Sequence, residues 1–393
     1  MAKAFNLKKV LKENTMLIAL VAVMLLFQVL ITATNHGSLF APANITNIIN
    51  QNSYVVILAT GMLLCILTGG NIDLSVGSIV ALVGAIAGTL IVNMNCNIWV
   101  AIIICLIVGT LIGAWHGIWI AYVHIPPFIV TLSGMLLWRG VALIVLNGLT
   151  ISPLPDNYLA LFTSYLPGTA NKATIFSVTM IVAVICCAVM IILQSISRIN
   201  KAKKGYQTTP FIPFVIKMVL ISLVIMFVAY LIGHHKGIPV ILILIAVVVA
   251  IYTYYTQNTV PGRYLYAIGG NQKAAKLSGV NTDNVMFFAY TNMGFLSAVA
   301  ALVCVARFNS AAPTAGQNYE MDAIGSCFIG GASAYGGTGT VSGAVIGAIF
   351  MGVLNNGMSI LGVDSNWQKA VKGLVLLLAV IFDVVSKQRK ASK

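Results

Sequence analysis

Carboxylates are nearly missing from this chain. Glu13, Asp73, Asp156, Asp283, Glu320, Asp322, Asp364 and Asp383 are the full set among 393 residues. Among so few acids nothing resembles a zinc site or a catalytic cluster. Charged residues of both signs make up 8% of the sequence, against about 25% in a soluble domain. Gly-Lys does not occur, so the chain has no P-loop and any ATP must be bound elsewhere. The seven cysteines (65, 96, 105, 186, 187, 304 and 327) contain no Cys-x-x-Cys, and most fall in apolar runs. They read as packed free thiols, with no redox or zinc motif. No catalytic triad is visible either. The residue list therefore assigns no catalytic group and no metal ligand.

Apolar residues fill the space left by charge, at 59% of the chain. They gather in runs of the length a bilayer requires, about 17–25 residues. The fold class is an all-α integral membrane protein with about twelve spans. They are expected near 15–34, 52–69, 76–93, 98–122, 127–146, 173–194, 213–232, 239–256, 285–305, 320–336, 341–361 and 367–385. The tenth is rich in Gly and Ser, and two of the twelve could be re-entrant or broken; re-entrance would leave ten. The run Met16–Ala33 is too long for a signal-peptide core of roughly 7–15 residues and is expected to remain as the first span.

The net charge of +14 is not spread as on a nucleic-acid face. Four clusters lie between or beyond apolar runs: Lys3/8/9/12, Arg198/Lys201/Lys203/Lys204, Arg263/Lys273/Lys276 and Lys387/Arg389/Lys390/Lys393. With both termini in the cytoplasm all four fall inside, as the positive-inside rule asks. Trp99, Tyr122 and Trp367 stand at span ends, where interfacial aromatics belong.

Residues 1–393 read as one transmembrane domain that contains a polar loop at 257–284. Within that loop Pro261-Gly262 and Gly269-Gly270 are expected to break structure on either side of Tyr264–Ile268. Asn271 is a fair N-cap and Gly279 a left-handed stop. Between them Ala274, Ala275, Lys276, Leu277 and Ser278 form a helix of roughly two turns, too short to hold itself in water. Such a helix needs a docking partner, and the loop reads as the contact through which another subunit moves this one.

Several further stretches carry information. Gly109-x3-Gly113-x3-Gly117 is a small-residue stripe that admits a close helix neighbour. Pro126-Pro127 starts a helix. Gly69-Gly70-Asn71-Ile72-Asp73-Leu74-Ser75 and Ile329–Gly343 are faintly alike, as the relics of an internal duplication are. Asp73 either caps the helix that follows it or serves a gate or a partner contact. Asn71 and Ser75 belong to the same candidate pathway stretch. Glu320 and Asp322 suit a helix N-terminus. His116 between Trp115 and Trp119 could meet a sugar ring and hydroxyl, or could hydrogen-bond to a neighbouring helix. His234-His235-Lys236 reads as an exposed loop. Arg139 either snorkels or lines a pathway.

These motifs together resemble the permease subunits of bacterial monosaccharide ATP-binding-cassette importers. The carrying residues are Ile72-Asp-Leu-Ser-Val-Gly-Ser78, Pro127-Phe-Ile-Val-Thr-Leu132, Gly262-Arg-x3-Tyr-Ala-Ile-Gly-Gly-Asn-x2-Ala-Ala-x-Leu-Ser-Gly279 and Ile329-Gly-Gly331. Within that group Gly113-Ala-Trp-x-Gly117, Asn147-Gly-x-Thr-x-Ser-Pro153, Lys236-Gly-Ile-Pro239 and Asn356-Gly-Met-Ser359 are similar to the xylose type. Residues from about 170 to 238 resemble a helix pair that the shorter permeases lack. One departure is Asn71, where the xylose type carries an acid.

The resemblance implies a bacterial cytoplasmic-membrane permease of the importer fold. Gly270–Gly279 would be the element seated in a groove of the partner ATPase, which would bind the ATP and Mg²⁺. This chain would bind no cofactor. The implied partners are that ATPase, an extracytoplasmic sugar-binding protein, a second permease copy and the lipid bilayer, with no nucleic acid. The substrate would be D-xylose or a related monosaccharide. A stand-alone proton-coupled sugar transporter is the main rival; it would need partnered intramembrane acids and leaves 262–279 without a purpose. A membrane enzyme is the other, and lacks a catalytic cluster.

Overall fold

The computed structural model describes residues 15–206 and 210–391. Lys3, Lys8, Lys9, Lys12, Glu13 and Lys393 lie outside the described residues. The helices in chain order are α1 (Thr15–Ala33), α2 (Pro42–Leu67), α3 (Val76–Gly88, continued by a π turn to Asn93), α4 (Ile98–Ala121), α5 (Pro127–Leu146) and α6 (Asp156–Thr163). Next come α7 (Lys172–Lys203), α8 (Phe211–Gly233), α9 (Val240–Asn258), α10 (Val260–Gly270), α11 (Gln272–Leu277) and α12 (Thr282–Phe308). The last are α13 (Tyr319–Ile329), α14 (Val341–Ile360) and α15 (Ser365–Ala391). Two-residue strands, β1 (Tyr165–Leu166) and β2 (Ile238–Pro239), pair antiparallel and tie the α6–α7 connection to the start of α9. Among the described residues ten helical segments are long and apolar enough to cross a membrane.

Three expected spans differ from the observed helices by about two turns or more; the sixth, α7, runs nine residues past 194 to Lys203. The second begins at Pro42, ten residues before the position the apolar signal marks. The polar residues that hid its first turns are paired within the bundle. Asn44 and Asn356 exchange reciprocal amide hydrogen bonds of 2.9 and 3.0 Å, and Asn52 Nδ2 donates to Ala348 O at 2.6 Å. The expected tenth span, 320–336, is helical only over the eleven residues of α13. At 1.5 Å per residue that is about 16 Å, half of a ~30 Å hydrocarbon core.

The short helix fits a larger pattern. α2 and α12 are the two most buried long helices and run antiparallel, with Cys65 Sγ facing Ala289 O and Arg307 Nη1 donating to Gln51 O at the other end. α12 packs along α3 and α4, whereas α2 packs along α13 and α14; α3 packs on α5 and α13 on α15. The contacts therefore relate α2–α5 to α12–α15 as two copies of one unit with opposite direction through the membrane. α3 and α13 are the matching half-helices. Asp73 N lies 3.4 Å from Met62 Sδ, more than a turn inside the end of α2. Tyr319 stacks on Tyr54, midway along α2, with ring centroids 4.0 Å apart. Both helices thus begin at mid-depth, beside one another at Gly77 and Gly316, and leave toward opposite faces.

This corrects the pairing of repeats suggested by the glycines. Residues 69–75 correspond in place to 309–318, and not to 329–343. The two Gly-Gly stretches touch each other instead: Gly336 lies against Gly69, and Gly70 against Ala334 O. Their likeness reflects one shared backbone crossing at which a Cβ would collide.

The glycine stripe on α4 lies on α12. A Cβ at Gly109 would stand 2.5 Å from that of Ala298, and one at Gly113 2.5 Å from Tyr290 O. Asn147 and Asn309, both at φ +49°, end α5 and α12 as left-handed caps.

Candidate functional site

The polar loop emerges as α10 and α11. Pro261 sits in the first turn of α10, and Thr259 Oγ1 accepts from Gly262 N at 3.1 Å. The glycine pairs expected to break the chain are inside this helix. Gly262 is there because its Cα faces Tyr255 O, and Gly269 because it rests on Leu67 O and Gly337 N. A side chain at either would force the backbones apart. Tyr266 OH donates to Gly339 O at 3.0 Å. α10 is thereby clamped to the end of α2 and to the 330–339 loop.

α11 has the expected caps. Asn271 Oδ1 accepts from Ala274 N at 3.0 Å, and Gly279 takes φ +86° as Val280 N donates back to Ala275 O. Its two alanines lie on different faces. Ala275 is 6% exposed and turned toward the chain's own α10 and α12. Gln272, Lys273, Ala274, Lys276 and Ser278 are exposed. Leu277 is 90% exposed, an apolar side chain standing almost free at the tip.

The other candidate residues meet at mid-depth. Asp73 is fully buried; its Oδ1 accepts from Ser75 N at 2.8 Å and Ser75 Oγ at 2.6 Å, while Oδ2 is buried without a partner. Ser75 Oγ is 3.5 Å from His116 Nδ1. Trp138 Nε1 donates to His116 Nε2 at 3.2 Å, which assigns the ring proton to Nδ1. Asp73, Ser75, His116 and Trp138 thus form one directed chain, with both nitrogens of the buried His116 occupied. Gly134 makes room for that ring. Trp115 stands edge-on to Trp138 at 5.5 Å, and Trp119 is turned outward. Asn71 is apart from this group and donates to Thr68 Oγ1 at 3.2 Å.

Trp138 was not legible as a member. It sits among apolar neighbours, and only the need of a buried histidine for a second partner points to it. Asp322 gains equally hidden partners: Tyr54 OH donates to Oδ2 at 3.0 Å, and Lys372 Nζ lies 2.9 Å from Oδ1. Arg139 neither snorkels nor stands free, since Nη1 donates to Pro313 O and Ala315 O and holds the bend before α13. Among the described residues no group of His, Cys, Asp and Glu has a metal-holding arrangement.

The face opposite α10–α11 carries a cavity of about 230 Å³ between α2, α6, α9 and α12. Asn47, Asn50, Gln51, Thr163, Tyr165 and Arg307 contribute polar groups to it, and no carboxylate does.

Comparison with known proteins gives this architecture its place. The profile of a family described as the branched-chain amino acid transport system / permease component matches residues 44–166 and 157–380. The chain belongs to that family. It is 37% identical over 386 residues to the xylose transport system permease protein of Haemophilus influenzae, covering 98% of this chain and all of that one. It is 36% identical over 385 residues to the xylose permease of Escherichia coli K12, covering 96% and 93%. The ribose import permease of the same strain is 35% identical over 373 residues, covering 95% and 94%. No solved structure matches the chain. Family membership makes the chain a multi-pass membrane subunit of a sugar transport system whose ATPase and substrate-binding protein are separate chains. A stand-alone transporter and a membrane enzyme both give way to it.

Proposed function

We propose that this chain is the translocating subunit for an aldopentose, D-xylose or a close relative, and that α11 is where its ATPase docks. The observation that carries the reading is Leu277 on α11: an apolar side chain 90% exposed on a six-residue helix that contributes little stability by itself. ATP and Mg²⁺ belong to the partner. Lys273 and Lys276 flank the knob, and Asn271 and Gly279 fix the helix ends.

Two copies form the pathway, and a sugar-binding protein delivers substrate to the face opposite α11. That face suits a neutral polyhydroxyl compound, because the cavity there offers amides, hydroxyls and one guanidinium without a carboxylate. The α11 face is cytoplasmic. It holds Arg263, Lys273 and Lys276, and α7 ends there with Arg198, Lys201, Lys203 and Lys204. Both ends of the described chain come to it: Met16 reaches Gly331, and Asp383 accepts from Ala334 N at 3.2 Å. Asp73, Ser75, His116, Trp115 and Trp138 brace the half-helix at the gate, with Asn71 and Trp119 at its margins.

Proteoliposomes containing this chain, its ATPase and its binding protein test the reading. ATP-dependent uptake of labelled xylose, above that of ribose or galactose, supports it. Uptake without ATP, or ribose preferred over xylose, overturns the corresponding half.

A further inference from the structure

Helices α7 and α8 pack on one another, but between this hairpin and α9 a groove of about 610 Å³ stays open. Val182, Cys186, Val228, Leu242, Ala246 and Ala250 are representative of its walls. Thr179 is the one polar residue lining it, and its hydroxyl is spent on Ile175 O at 2.7 Å. Water has nothing to bond to there. All three helices are membrane spans by length and composition, so hydrocarbon or another helix must cover the groove.

Size selects between them. From Ile238 to Ala250 the groove follows twelve residues, about 18 Å at 1.5 Å per residue. That is one leaflet of a ~30 Å core. A neighbouring span would need a seam running the full depth of the bilayer, whereas a groove confined to one leaflet matches an acyl chain.

The mouth of the groove lies at the face opposite α11, at the turn between α8 and α9. Ile232 and Ile238, which line the groove, bracket Lys236 in that turn. Lys172 opens α7 beside it, since Phe176, one turn on, packs on His234 with ring centroids 4.8 Å apart. His235 Nδ1 is buried in the same turn without a partner. Residues 157–282 contain ten Lys and Arg and no Asp or Glu, so no acid on this hairpin or on α9 competes for the lysines.

We propose that the groove between the α7–α8 hairpin and α9 holds an acyl chain of an anionic glycerophospholipid from the leaflet opposite α11, with its phosphate at Lys172 and Lys236. The lipid fills the seam along which this hairpin would otherwise stand away from the bundle.

Native mass spectrometry of the full chain released from nanodiscs of equal phosphatidylglycerol and phosphatidylcholine tests this directly. The expected result is one retained phospholipid per chain, with phosphatidylglycerol favoured about tenfold or more. Lys172→Gln with Lys236→Gln should bring that preference to about one while a lipid is still retained. Ala246→Phe, which fills the groove, should lose the lipid itself. Both lysines are at the surface, so the first variant does not depend on repacking the bundle. No retained lipid, or phosphatidylcholine retained as well as phosphatidylglycerol by the unaltered chain, overturns the proposal. So does rapid Cys186–Cys186 cross-linking between two copies in the bilayer, which would assign the groove to a permease–permease contact.

Discussion

Removing the side chain of Leu277 separates docking from folding, because the structure has this residue touching almost nothing in its own chain. Leu277→Ala deletes three carbon groups that are 90% exposed in the isolated subunit. If the ATPase groove buries them, the loss is about 2.4 kcal/mol at ~0.8 kcal/mol per carbon, or roughly 50-fold in Kd. Alanine is as good a helix former as leucine, so α11 itself is not weakened. Membrane insertion and thermal stability of the solubilised permease should stay within experimental error. Binding of labelled ATPase to that permease is the assay, with permease-stimulated ATP hydrolysis as a second reading. A Kd within threefold of the unaltered chain, together with normal stimulation, would refute the reasoning and remove α11 from the docking surface. Ala275→Arg is the instructive contrast. Ala275 is buried against α10 and α12, so its replacement should lower both stability and binding and would not report on docking alone.

Gly113→Ala should sharply reduce folded protein by size-exclusion chromatography, since its Cβ would stand 2.5 Å from Tyr290 O and 2.9 Å from Gly294 Cα. Gly140→Ala, with nothing within 4 Å, should instead gain up to about 1 kcal/mol of helix stability. Asp73→Asn keeps an oxygen for the Ser75 N–H and hydroxyl and should retain most uptake, whereas Asp73→Ala leaves both donors unpaired and should cost about 1–3 kcal/mol in thermal melts. A null phenotype for the Asn variant at normal expression would move Asp73 from a brace to a titrating gate. Lys372→Met strands the buried Asp322 carboxylate and should destabilise the α13–α15 contact by roughly 3–5 kcal/mol. Adding Asp322→Asn should recover most of that in the same melting experiment, because an amide can still accept from Tyr54 and carries no charge.

How much of this was readable follows from what each element needs. Long apolar runs announce themselves, and the fifth span, 127–146, coincides with α5 because Pro127 marks its start and Asn147 its left-handed end. α11 was readable to the residue, since Asn271, Gly279 and the alanines between them act locally. α2 was not. Asn44 and Asn52 pair with α14, and such pairing across the bundle leaves no trace in hydropathy. The halving of α13 showed only in the Gly and Ser that mark the tenth span, because the apolar run continues through Phe328 and Ile329 into the 330–339 loop. In the candidate site Asp73, Ser75, Trp115 and His116 could be named, but not their order. Trp138, Tyr54 and Lys372 approach their partners from other helices, and a single sequence carries no signal for such pairs.

The placement of the acids follows from the inverted repeat. Two half-helices begin side by side at mid-depth, and each presents unpaired N–H groups and a positive dipole end to a region without water. Asp73 serves the first and Glu320 with Asp322 the second. Three of the chain's eight carboxylates are thereby tied to one structural problem. The neighbouring positive groups are committed as well, Lys372 to Asp322 and Arg139 to the bend at Pro313 and Ala315. Lys372 and Arg139 are thereby held by the scaffold, which suits passage of an uncharged solute. The same geometry says where a pull on α11 arrives. α10 bears on Leu67 through Gly269 and on the 330–339 loop through Gly337 and Tyr266, so it grips both repeats at once. One of those contacts leads directly into the loop before α3, and the other into the loop that follows α13. If α11 is the docking element, its displacement would reach the loops beside both half-helices through backbone contacts, because no side chain lies between Gly269 and either backbone.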